Sequence, residues 1–122
     1  MRIMLKSKIH RARVTEANID YEGSITIDRK LMAAADILPF EQVHVLDVNN
    51  GSRFTTYAIE GETGEICING AAARLAMRGD TVIILTYKDV PEEQTLTHCP
   101  TLVYVDADNN IKGIKSEISC IH

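Results

Sequence analysis

The 122 residues contain no apolar run approaching the roughly 20 needed to span a bilayer. The start, Met1-Arg2-Ile3-Met4-Leu5-Lys6, lacks both a long apolar stretch and a small-residue cleavage site. No secretory leader is therefore expected, and the expected compartment is the cytoplasm. An excess of positive charge is also missing. The net charge of −4 argues against a nucleic-acid footprint, which is normally a basic patch or domain, but allows a local basic pocket for a small acid. Cysteine is scarce: the three, Cys67, Cys99 and Cys120, form no Cys-x-x-Cys. That pattern argues against a disulfide framework and fits free thiols in a reducing compartment. Neither His98-Cys99 nor Cys120-x-His122 has a usual zinc spacing, so no metal is expected. Repeats, low-complexity tracts and linkers are absent too, which makes 1–122 one expected domain.

What is there is an ordinary globular balance, 45% apolar and 25% charged. At this length folding buries about two-thirds of the unfolded chain's surface, enough for a real core. Over 2–19, Ile3, Leu5, Ile9, Val14 and Ile19 alternate unevenly with basic residues. A strand there puts Lys6, Lys8, His10 and, if it is regular, Ala12 on one cationic face. Such a face is either solvated or the wall of an acid site. Ser24, Thr26 and Asp28 alternate with Ile25 and Ile27, a strand after a turn at Glu22-Gly23. Asp28 then reads as the N-cap of a helix over 29–35, closed off before Pro39.

Residues 43–48 form a strand, and Asn49-Asn50-Gly51 predicts a type I′ hairpin. On the return strand, 53–59, Arg53, Thr55, Tyr57 and Ile59 share one face, and Phe54, Thr56 and Ala58 the other. Ile66-Cys67-Ile68 is a short buried strand. Asn69 is a plausible cap for a second short helix, whose first N–H groups, at Gly70, Ala71 and Ala72, are suited to a carboxylate or oxyanion. The apolar run 81–87 reads as a strand buried on both faces, and 102–105 as a last strand. About six short strands with two short helices suggest a small closed β-barrel, since closure removes exposed edges.

The dipeptide Gly23-Ser24 is by itself an ordinary turn. It also has a chemical possibility. A serine hydroxyl can attack the carbonyl just before it, and a preceding glycine has no Cβ to block the approach.

The blocks Met4-Leu5-Lys6-Ser7-Lys8-Ile9-His10-Arg11, Tyr21-Glu22-Gly23-Ser24, Asn50-Gly51-Ser52-Arg53-Phe54-Thr55-Thr56-Tyr57-Ala58-Ile59, Asn69-Gly70-Ala71-Ala72-Ala73 and Gly79-Asp80-Thr81-Val82-Ile83-Ile84 occur in this order. Together they resemble the pyruvoyl-dependent aspartate 1-decarboxylases, bacterial enzymes that make β-alanine for pantothenate. The resemblance runs from about Met4 to Tyr104, and the tail, 105–122, resembles the family only loosely. It implies a double-psi β-barrel assembled as a homotetramer with sites between subunits. It also implies self-cleavage between Gly23 and Ser24 into 1–23 and 24–122, with a pyruvoyl group left at position 24.

The implied chemistry needs no pyridoxal phosphate. L-aspartate forms a Schiff base with the pyruvoyl carbonyl, and the carbonyl conjugated to that imine is the electron sink as CO2 leaves. By resemblance Thr56 assists the oxyanion of cleavage, and Tyr57 protonates the product carbon. Arg53 and Lys8 hold carboxylates, with Gly70, Ala71 and Ala72 as further contacts. Tyr21, Asn69 and His10 support the site, His10 standing equally well as a strand-face histidine paired with a neighbour. A helper protein for maturation is a possible partner. Two alternatives stay open: an unprocessed, inactive precursor, and a non-catalytic binding module of the same fold, because fold does not fix function.

Overall fold

The computed structural model describes residues 1–116. The elements are β1 (Arg2–Arg13), β2 (Glu16–Asn18), β3 (Ser24–Asp28), α1 (Arg29–Ala34), β4 (Gln42–Asp47), β5 (Arg53–Gly61) and β6 (Ile66–Asn69). A 3-10 turn (Gly70–Arg74), β7 (Thr81–Val90), a second 3-10 turn (Glu92–Thr97), β8 (Thr101–Val105) and β9 (Ile111–Lys115) complete the order. The nine strands form one sheet in the order β2-β6-β3-β5-β4-β7-β1-β8-β9. The fold is mainly β and barrel-like, as the pattern of short strands predicts. The hydrogen-bonded ladder has two ends, β2 and β9, and so does not run full circle.

β-branched residues fill the interior. Ile9, Ile25, Ile27, Ile68, Val45 and Ile84 are fully buried in one cluster. Each such side chain is worth about 1.5–3 kcal/mol relative to exposure. Asp28 caps α1 as its sequence context predicts: Oδ1 accepts from the Lys30 N–H at 2.7 Å, and Oδ2 accepts from the Gly64 N–H at 2.7 Å. The helix stops one residue short of its expected end, and Asp36 beyond it is left-handed, with φ 56°.

The structure corrects several expectations. The β4–β5 connection is not a type I′ turn, which needs positive φ at both central residues. Gly51 has φ 76° but Asn50 does not join it. The Asp47 carboxylate instead organises a longer loop, accepting from the N–H groups of Asn49 (2.8 Å) and Asn50 (3.3 Å). In β1 the register against β7 slips between Ile9 and Ala12, where Arg11 takes φ 66°. That bulge turns Ala12 into the core instead of beside Lys8 and His10. Lys6 also leaves the expected cationic face, bonding the Glu41 Oε2 at 2.6 Å and the Asp36 carbonyl. β9 and the turn over Glu92–Thr97 carried no sequence signal. Cys99 is disulfide-bonded, against the expectation of free thiols, whereas Cys67 is free and buried. Cys120 and His122 lie outside the described residues.

Candidate active site

Ser24 opens β3 and is only 2% exposed. β3 pairs antiparallel with β6, setting Ser24 opposite Asn69 and Thr26 opposite Cys67. Ile25 and Ile68 between them are buried in the core, so the four polar side chains share the other face of the ladder. Asn69 joins them. Its Nδ2 donates to Ser24 Oγ at 2.9 Å and to Thr26 Oγ1 at 3.0 Å, while its Oδ1 accepts from the Cys67 thiol at 3.1 Å. Burial, and then the nearby Glu16 and Glu65 carboxylates, push the Cys67 thiol above its ordinary range, so it keeps the proton it donates.

Asn69 therefore does not cap the following segment: it makes no side-chain capping bond. That segment is a 3-10 turn, Gly70–Arg74. Its first residue is fitted to the chain before Ser24. Gly70 has φ 74°, and a Cβ there would lie 2.7 Å from Gly23 Cα, 2.8 Å from Gly23 N and 3.1 Å from Tyr21 O. The backbone of Tyr21 and Gly23 thus rests where a side chain at position 70 would be. Gly23 is different. It has no positive φ, and a Cβ added to it would meet nothing within 4 Å. Packing does not require glycine at 23; the Tyr21 ring beside it is half exposed.

β5 lies on the other side of β3, parallel to it, with Ile25 level with Ala58. Continuing that register sets Ser24 level with Tyr57 and Gly23 level with Thr56. The β4–β5 ladder runs from Arg53 to Tyr57 without a shift, so the strand is regular there. Arg53, Thr55 and Tyr57 are exposed, and Phe54, Thr56 and Ala58 turn inward, as the sequence alternation predicts. Tyr57 lies 6.2 Å from the Phe40 ring. Arg53 borders a concavity of about 590 Å³ that is also lined by Glu41, Gln42, His44 and Tyr87.

No hydrogen bond among the described residues links the Lys8 or His10 side chain to Ser24. Both residues lie on β1, four strands along the sheet from β3. Lys8 enters no ion pair among the described residues. His10 packs edge-on to Tyr104 at 5.6 Å, and its buried Nδ1 has no hydrogen-bond partner among the described residues. Burial, with Lys8, Arg11 and Lys112 nearby, holds His10 below the ordinary imidazole range.

The sequence model of the aspartate decarboxylase family matches residues 1–112. The chain belongs to the aspartate decarboxylase family. It is similar to an aspartate 1-decarboxylase of Dehalococcoides mccartyi (strain ATCC BAA-2266 / KCTC 15142 / 195), 63% identical over 118 residues covering 95% of each chain. A Syntrophomonas wolfei aspartate 1-decarboxylase is 60% identical over 93% of this chain and 98% of its own. One from Legionella pneumophila (strain Lens) is 52% identical over 98% of this chain and 96% of its own.

Seen as a family site, one copy of the chain gathers Gly23, Ser24, Tyr21, Asn69 and Gly70, with Thr56 and Tyr57 on the adjoining strand, and leaves Lys8 and His10 apart. Sequence reasoning missed Cys67 and Thr26. The signal was the period of two: Cys67 and Asn69 share a strand face, as do Ser24 and Thr26. The residues fit a group made from Ser24 itself, since the hydroxyl is buried, held by a donor, and preceded by backbone packed into a glycine-lined cradle. Among the described residues no three His, Cys, Asp or Glu side chains gather as metal ligands. No helix of the described residues is long and apolar enough to cross a membrane.

Proposed function

We propose that the chain converts L-aspartate to β-alanine and CO2, using a pyruvoyl group made from its own Ser24 after the Gly23–Ser24 bond breaks. The observation that carries this reading is the buried Ser24 hydroxyl, held by Asn69 at the start of a strand whose preceding residues are packed against Gly70. Whole-length similarity to proteins named aspartate 1-decarboxylase supports the substrate. One domain, 1–122, would become fragments 1–23 and 24–122. The short fragment would stay in place, because β1 pairs with β7 and β8, and β2 pairs with β6.

Maturation begins as Ser24 Oγ attacks the Gly23 carbonyl carbon. A C–O bond forms, the C–N bond breaks, and the hydroxyl proton ends on the freed Ser24 nitrogen. Thr56, level with Gly23, is our candidate donor to the oxyanion. Loss of the Ser24 Cα proton then breaks the Cβ–Oγ bond, and the electron pair leaves on Oγ, which becomes part of the Gly23 carboxylate. Water replaces the nitrogen of residue 24 as ammonia, and a ketoacyl group remains.

That group supplies a carbonyl that draws off the electron pair released as CO2 departs, work done in other decarboxylases by a pyridinium cofactor. The chain's own side chains bind and protonate. Arg53 suits a substrate carboxylate, because its planar guanidinium offers two parallel N–H donors. Tyr57 Oη, on the same face as Arg53 and level with Ser24, delivers the proton to the carbon that lost CO2. Gly70, Ala71 and Ala72 offer backbone N–H groups, with Tyr21, Asn69 and His10 in support. Lys8, four strands from β3, would add its charge from a neighbouring copy, which agrees with a homotetramer whose sites lie between subunits. A cytoplasmic location suits an enzyme of this kind.

The test is intact mass spectrometry of freshly made protein during prolonged incubation. Two fragments splitting after Gly23, the larger without a free amine, together with CO2 release from L-aspartate, are expected. A single unchanging mass identical in behaviour to Ser24→Ala would refute self-processing.

A further inference from the structure

Four side chains form a square on one face of the β3–β6 ladder: Ser24 opposite Asn69, and Thr26 opposite Cys67. Asn69 is the hub, and both edges of its amide are committed. A primary amide has two donor hydrogens and one carbonyl oxygen, and which edge faces a neighbour is decided by the partners. Here both Nδ2 hydrogens go to β3 hydroxyls. The Oδ1 edge is turned the other way, onto the thiol of Cys67 two residues back on its own strand.

We propose that Cys67 is a positioning residue for the self-cleavage of this chain: its thiol locks the Asn69 amide with Nδ2 directed at Ser24 Oγ. The inference rests on the processing reading above and adds a residue to it. Turned over, the amide would present Oδ1 to Ser24 and Thr26. Ser24 would then donate its proton to a neutral carbonyl that cannot carry it away. In the observed orientation Ser24 Oγ accepts, and its proton is free to leave as Oγ attacks Gly23. The same Nδ2 hydrogen lies beside the oxygen that later takes the electron pair when the Cβ–Oγ bond breaks. Cys67 is suited to the lock because it is 6% exposed and bonds nothing else among the described residues. Thr26 is fixed independently: a Cβ on Gly61 would lie 2.6 Å from its Cγ2 methyl, so that methyl packs on Gly61 while Oγ1 meets Asn69.

The experiment follows the rate of Gly23–Ser24 cleavage in freshly synthesised full-length protein by intact mass, for wild type, Cys67→Ser, Cys67→Ala and Cys67→Val. Serine keeps a donor at 67, whereas alanine and valine leave Asn69 Oδ1 without one, valine also filling the space. A net hydrogen bond of this kind corresponds to about tenfold in rate. Cleavage should slow by about tenfold in both Cys67→Ala and Cys67→Val and stay within about threefold of wild type in Cys67→Ser. In an Asn69→Ala background, Cys67→Ala should add no further loss, because its effect runs through that amide. Equal rates in all four proteins would overturn the role, and so would equal slowing in serine, alanine and valine variants, which marks packing alone. If wild type itself never cleaves, the processing reading has failed rather than the role of Cys67.

Discussion

Two glycines meet beside Ser24, at the bond proposed to break, and the structure assigns them opposite tolerances. In Gly70→Ala the new methyl would stand 2.7 Å from Gly23 Cα and 2.8 Å from Gly23 N, where ordinary contact begins at 3.4 Å. Neither neighbour is a flexible side chain; both are backbone. The residue also sits at φ 74°, where an L side chain costs about 1–2 kcal/mol. Overpacking of this kind adds roughly 1–3 kcal/mol. The total of about 2–5 kcal/mol should lower the unfolding midpoint by on the order of 10 °C. In Gly23→Ala no atom beyond the adjoining residues lies within 4 Å of the new methyl and φ is not left-handed, so stability should move by less than about 0.5 kcal/mol. Both variants are best compared by thermal unfolding in a Ser24→Ala background at one protein concentration, so that every sample is one uncleaved chain. With Ser24 restored, Gly70→Ala should also cleave slowly, because relief of the clash moves Gly23 away from Ser24 Oγ. An unfolding midpoint for Gly70→Ala equal to that of the parent, with normal cleavage, would show that position 70 does not shape the site.

Tyr57→Phe should cut aspartate turnover by on the order of 10²–10⁴ while cleavage after Gly23 stays near the wild-type rate; full CO2 release from the variant would remove Tyr57 as proton donor. A pH dependence follows from Asp47, whose carboxyl is raised above its ordinary value by burial and then by the neighbouring Asp80. A raised folded-state value means that Asp47 adds stability below the ordinary carboxylate range and loses it as pH rises through the folded value. Asp47→Asn keeps an acceptor for the Asn49 N–H but cannot ionise, so its stability relative to the parent should improve as pH rises. Denaturant midpoints across a pH series, again in Ser24→Ala, check this, and a difference independent of pH counts against it.

Much of the fold could be read from alternation. The faces of β5, the Asp28 cap and the strand at β7 all follow from local pattern, although that strand is not buried on both faces throughout, since Tyr87 is exposed. What local pattern could not give was pairing between distant segments. Asn69 before Gly70 and three alanines has the sequence of a helix cap, and a cap was the expectation. Its side chain turns to Ser24 because β3 and β6 pair, a contact across 45 positions. The β4–β5 hairpin formed, but its turn type differed for a related reason. Asn-Gly favours a two-residue turn, but Asp47 supplies a carboxylate that gathers the next N–H groups and lengthens the loop. Gly23 was read for the open approach it gives the Ser24 hydroxyl; the packing demand that local pattern did not show falls on Gly70, and only the packed backbone reveals it.

The adjacent Thr56 and Tyr57 are the sharpest case. A regular strand sends them to opposite faces, so either the strand bends or the two serve different surroundings. It does not bend: the ladder to β4 is unbroken through both. The parallel register with β3 supplies the reconciliation. Continuing that register sets Tyr57 level with Ser24, on the side of the ladder away from the core, and Thr56 level with Gly23, whose carbonyl is the one attacked in the proposed cleavage. On the proposed reading, one residue is level with the group that would be made and the other with the residue whose bond would break. A single straight strand can therefore serve both reactions from one copy, one after the other. Lys8 cannot be reconciled in the same way, because three strands, β5, β4 and β7, lie between β1 and β3 in the sheet. On the reading proposed above, a division of the site between copies would fall not between Thr56 and Tyr57 but between the residues around Ser24 and Lys8.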